Sequence, residues 1–103
     1  HVGAPWALCT SQGPHQYLFS SNSFPSGSNF DDAPTTGEVY KMELDGKVVG
    51  RFGKAGHAIG EFSAIHQMDC RDPNTIFTAE INNWRSQKIV LKPAAAAAKT
   101  AGN

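Results

Sequence analysis

Residues 37–53, Gly-Glu-Val-Tyr-Lys-Met-Glu-Leu-Asp-Gly-Lys-Val-Val-Gly-Arg-Phe-Gly, constrain the fold more than any other stretch of the chain. Tyr40, Met42 and Leu44 alternate with Lys41 and Glu43, the two-residue period of a strand with one buried face. Asp45-Gly46 follows at once, and Val48, Val49 and Phe52 come after it. An Asp-Gly step between two such runs predicts a β-hairpin closed by a two-residue type I′ turn, whose central residues both need positive φ.

Shorter apolar runs lie on either side. Those at 6–9 and 17–19 are split by Ser11-Gln12-Gly13-Pro14, and those at 64–70 and 76–79 by Arg71-Asp72-Pro73-Asn74. A polar, Pro-containing turn between short strands predicts a tight antiparallel pair. A last run, Lys88-Ile89-Val90-Leu91, stops just before Pro93.

The two halves can be laid over one another, the test for an internal repeat. Trp6 falls on His66, Leu8 on Met68 and Cys9 on Asp69. With a gap in the turn, Pro14 falls on Pro73, Leu18-Phe19 on Ile76-Phe77 and Asn22 on Glu80. Strands are predicted near 6–10, 17–22, 38–44 and 47–52 in the first unit, and near 64–70, 75–80 and 87–92 in the second. Four short antiparallel strands per repeat make a β-propeller blade. The sequence therefore predicts an all-β chain. Residues 4–56 form one complete four-stranded blade with a long polar loop at 23–36, and 57–93 form a second blade lacking its outer strand. Residues 94–103, five alanines followed by Lys-Thr-Ala-Gly-Asn, are expected to be a disordered tail.

Composition narrows the function classes. The 103 residues suit one small domain. Nine basic and nine acidic side chains balance, so no electrostatic footprint points to nucleic acid or an anionic membrane. No apolar run approaches the ~20 residues needed to span a bilayer. The chain begins at His1 rather than Met, as a processed protein or a piece of a longer one would. Cys9 and Cys70 are too few for a disulfide framework. Each ends an apolar run, the setting of a buried free thiol, with a bridge between them as the other reading.

The stretches Arg51-Phe52-Gly53, Gly56-His57-Ala58-Ile59-Gly60-Glu61-Phe62 and Ile65-His66 resemble the NHL-repeat pattern. In that family a hairpin ending in Phe-Gly or Trp-Gly leads through a Gly-rich linker to a Pro-His pair on the next blade. Ala79-Glu80, Asn82-Asn83, Arg85 and Gln87-Lys88 resemble the end of the same repeat. Two positions depart from it: Glu80 stands for the usual Asp and Ile65 for the usual Pro. The resemblance implies the C-terminal two blades of a six-bladed propeller, secreted or periplasmic. The remaining blades would come from a longer parent chain or from self-association. Gly53, Gly56 and Gly60 would let the chain swing between blades. Arg85 would bind carbonyls or a carboxylate such as Glu80.

Two functions follow as expectations. The first is a binding or scaffold module for protein or a small ligand, with Trp6, Phe30, Trp84 and Arg85 as contact residues, since exposed aromatics and arginines dominate binding sites. The second comes from a further resemblance to the lyase domain of peptidylglycine amidation, a zinc-dependent peptidyl-hydroxyglycine lyase. His66 would be one of three histidine ligands to zinc. Gln67 occupies the place where that lyase has an acidic residue associated with calcium, and a neutral amide suits a hard cation less well. Tyr40 as a phenolic base gives way to core packing, because it sits within the alternating hairpin. Asp31-Asp32 offer only a weak calcium site, and His1, His15 and His57 show no metal-ligand spacing.

Overall fold

Strands form where the apolar runs and period-two segments lie, and turns where Gly and Pro interrupt them. The computed structural model describes residues 5–22, 37–81 and 84–92. His1, the loop at 23–36 with Phe30 and Asp31-Asp32, the Asn82-Asn83 turn and the Ala-rich tail lie outside the described residues. The first sheet runs β1 (Pro5–Thr10), β2 (Leu18–Asn22), β3 (Val39–Met42) and β4 (Val48–Phe52), in that order. The second runs β5 (Ile65–Asp72), β6 (Thr75–Glu80) and β7 (Ser86–Val90). Every pairing is antiparallel. The chain is all-β among its described residues, in sheets of four and three strands.

The internal repeat extends to the hydrogen-bond register. Cys9, Phe19 and Lys41 stand opposite one another across β1, β2 and β3, as Asp69, Phe77 and Lys88 do across β5, β6 and β7. Pro5 pairs with Asn22 as Ile65 pairs with Glu80, and a register shift follows immediately in both inner strands. The entry to the third strand also repeats. The Asn22 amide donates to the Glu38 carbonyl at 2.8 Å, and the Glu80 amide to that of Arg85 at 3.0 Å. The preceding residues, Gly37 and Trp84, both take positive φ, 96° and 54°.

Each sheet gives one face to a shared core. Ala7, Phe19 and Val39 come from the first sheet, Ile65, Cys70 and Ile76 from the second, and Phe62 from the linker between them. Burying an aromatic side chain such as Phe19 or Phe62 contributes roughly 2–3 kcal/mol. Strands β1 and β5 bring the sheets together. The Ser21 hydroxyl accepts from the Ala7 amide at 3.0 Å and donates to the Ile65 carbonyl at 3.3 Å. The Gln12 amide reaches the Arg71 carbonyl at 3.1 Å.

Two expectations are corrected. Cys9 and Cys70 are not free thiols but a disulfide, with Cα atoms 6.0 Å apart. Each cysteine does end an apolar run, but the runs belong to the two strands that meet between the sheets. The hairpin forms as expected, but through a different turn. The Glu43 amide bonds the Lys47 carbonyl and the Gly46 amide bonds the Glu43 carbonyl, both at 2.9 Å. Leu44, Asp45 and Gly46 therefore form a three-residue loop, with positive φ at Gly46 alone. This is a type I turn closed by a glycine bulge. It takes Leu44 out of the strand and leaves it exposed.

Gly37 has no room for a side chain. A Cβ built there would lie 2.6 Å from the Phe62 carbonyl oxygen and 2.7 Å from that of Lys54, against φ of 96°. Gly37→Ala is expected to cost about 2 kcal/mol or more, read as a fall in the urea midpoint at unchanged slope. The exposed, unobstructed Gly46→Ala should cost less, because it meets the φ penalty without the overlap.

Candidate functional site

The alternation of β1 and β5 turns Trp6 and His66 outward at repeat-equivalent positions. Their rings meet edge to face, with centroids 5.7 Å apart and planes at 84°. An open groove of about 620 Å³ runs along these two strands, lined by Trp6, Leu8, His66, Gln67, Met68 and Asp69 among others. Its size falls in the range of small-ligand sites, roughly 300–1,000 Å³. Arg71 closes one end, donating to Asp69 from Nε at 3.1 Å and from Nη2 at 2.8 Å. This two-pronged contact holds the Asp69 carboxyl below its ordinary range. The groove thus offers an indole and an imidazole beside an amide and an anchored ion pair. Such a site can stack, donate and accept.

Among the described residues no group of three His, Cys, Asp or Glu side chains could hold a metal ion. Trp6 occupies the repeat-equivalent place, so His66 is a single imidazole set against an indole. A zinc centre here would need its other ligands from outside the described residues. Tyr40 is buried, and its hydroxyl donates to Glu38 Oε1 at 2.5 Å. Burial, then the Glu38 carboxylate, raises its pKa, so the phenolate a base requires is disfavoured. His15 lies outside the groove, stacked on Tyr17 at 4.4 Å and 2.6 Å from Glu43 Oε1.

Arg85 has a different task. Its guanidinium donates to Glu80 Oε2 at 3.0 Å and to the carbonyls of His57, Ala58 and Glu61 at 2.8–2.9 Å. Glu80 and the linker carbonyls both hold it, and the expected structural role is the one the geometry displays. Gln87 joins the same network, donating to Glu61 O and Glu80 Oε2 at 2.8 Å and accepting from the Gly60 amide at 2.9 Å. The other Glu80 oxygen accepts from the Ser63 amide at 3.1 Å. Sequence reasoning missed Gln87 as a member of this clasp. Its signal was the two-residue step from Arg85, which puts both side chains on one face of β7 and its approach.

Trp84 does not line the groove. It is 92% exposed on a backbone with φ of 54°, a conformation rare for a bulky residue. Phe30 lies outside the described residues. The structure thus brings together Trp6 and His66, and keeps Arg85 and Trp84 apart from them.

No family model, curated protein or solved structure matches this chain. The site is therefore read from its own geometry. Among the described residues no helix is long and apolar enough to cross a membrane.

Proposed function

We propose that the chain is a binding module built from two consecutive NHL-type propeller blades, taking its ligand along the groove between β1 and β5. The repeated strand register and the Gly-rich linker clasped by Arg85 support the blade reading. The single observation carrying the binding reading is the Trp6–His66 pair. Two aromatic rings from equivalent positions of successive units stand at one open groove with Gln67, Asp69 and Arg71 beside them. Half-exposed tryptophan next to hydrogen-bonding groups is the composition of a binding hot spot. The inter-sheet disulfide is compatible with a secreted or periplasmic location, where such bonds persist.

The Trp84→Phe variant leaves Trp6 as the one indole and makes it a reporter. Titration with panels of peptides and oligosaccharides is expected to give a saturable emission shift with at least one class. Calorimetry with that ligand should then show Trp6→Ala and His66→Ala each weakening binding by about tenfold or more. Equal binding by both variants would remove the groove as the site. Stoichiometric zinc that is retained by the purified chain and lost in His66→Ala would replace this reading with the metalloenzyme.

A further inference from the structure

The internal repeat assigns a partner to each outer face of the molecule. On the first sheet, Phe19 and Ser21 face the shared core. Their repeat-mates on the second sheet, Phe77 and Ala79, face away from it. On the second sheet, Met68 and Ile76 face the core, and their repeat-mates Leu8 and Leu18 face away on the first. Opposite faces of successive units therefore meet, and the contact is head-to-tail rather than face-to-same-face. Such a contact leaves both its surfaces available again at the two ends.

Exposure agrees with this at both ends. Phe19 is 0% exposed beneath the second sheet, whereas its mate Phe77 is 47% exposed. Met68 is half-buried against the core, whereas its mate Leu8 is 62% exposed. Around Phe77 the outer face carries Gln67, Asp69, Ala79 and Ser86, which line a shallow open depression of about 280 Å³. Asp69 and Lys88 flank Phe77 in one row across the strands, as Cys9 and Lys41 flank Phe19 in the row that is covered.

We infer that the outer face of the second sheet, centred on Phe77, docks the outer face of the first sheet of a second copy, at its Leu8 end. The second copy is the occupant because it carries Leu8, the exposed repeat-mate of the core-packed Met68, on the face equivalent to the one that meets the first sheet within the chain. Contact falls at the Leu8 end because Ser20, Tyr40 and Met42 on that face are already buried within the chain. The inference needs the repeat but no ligand, and its contact shares Leu8, Gln67 and Asp69 with the rim of the groove.

Sedimentation equilibrium of the whole chain tests it. The wild type is expected to exceed the monomer mass at micromolar concentration, whereas Phe77→Asp and Leu8→Asp are each monomeric. An equimolar mixture of the two variants should form a dimer, because each retains the surface the other has lost. Should either aspartate variant lose its far-ultraviolet circular dichroism, Phe77→Ser and Leu8→Ser take its place. A monomeric wild type overturns the inference and leaves the face to a unit outside this sequence. Self-association that Leu8→Asp leaves untouched also overturns it, since two copies would then meet through the Phe77 face alone. Ligand binding along the groove is read separately, through Trp6→Ala and His66→Ala in the otherwise unchanged chain.

Discussion

Replacing both cysteines, Cys9→Ser with Cys70→Ser, is expected to cost the chain about 4 kcal/mol of stability, the chain-entropy value for a loop of this length. The bridge joins residues 61 apart in sequence. It also lies where one sheet meets the other, beside the contact of the Gln12 amide with the Arg71 carbonyl. The loss should therefore be cooperative, with both sheets melting together at a lower urea midpoint. Reducing the wild type with dithiothreitol should reproduce the same midpoint. A reduced protein as stable as the oxidised one would show that the core and the Ser21 contacts hold the sheets without the bridge. Small domains have limited cores, so a large effect from one cross-link is physically reasonable here.

The second large effect is expected at Arg85. The Glu80 side chain is 0% exposed and that of Arg85 27% exposed. Arg85→Met leaves a buried carboxylate short of its cation and removes the guanidinium's hydrogen bonds to three linker carbonyls. Removing one partner of a buried pair costs about 3–5 kcal/mol. Some of that is recovered because Ser63 and Gln87 still donate to Glu80. The companion variant Glu80→Gln removes the charge without the shape. Adding it to Arg85→Met should restore part of the loss, since an amide tolerates burial without a cation better than a carboxylate does. Four urea transitions complete the cycle. Strict additivity of the two changes would mean that the guanidinium acts through the linker carbonyls alone.

Much of the fold was legible in the sequence because it depends on local signals. Period-two alternation and Gly/Pro punctuation located all the described strands to within a few residues. Laying Phe19 over Phe77 and Asn22 over Glu80 anticipated the shared register. What local signals could not supply was the stagger between sheets. The repeat sets Cys9 against Asp69, which argues against Cys9 pairing with Cys70. The bridge exists because β1 and β5 pack side by side where the two sheets meet, a property of packing rather than of the repeat. The hairpin turn failed for a related reason. Asp45-Gly46 suits either loop length, and the choice fell to the pairing of Glu43 with Lys47, which sends Leu44 outward. At the groove, the sequence located Trp6 and His66 separately. Their contact appeared only when the two inner strands were set side by side. The positive φ of Trp84 was invisible until its structural mate proved to be Gly37.

The Arg85 clasp also bears on the order in which the chain can assemble as it is synthesised. Each hairpin of the first sheet needs only nearby residues, so it can close soon after it emerges. The corner at 57–61 is different, because its carbonyls wait for a guanidinium more than twenty residues downstream. Until that side chain is made, the linker lacks its tie to Glu80 of the second sheet. The clasp thus closes late in the chain, after the strands β1 and β5 that join the two sheets have both been made.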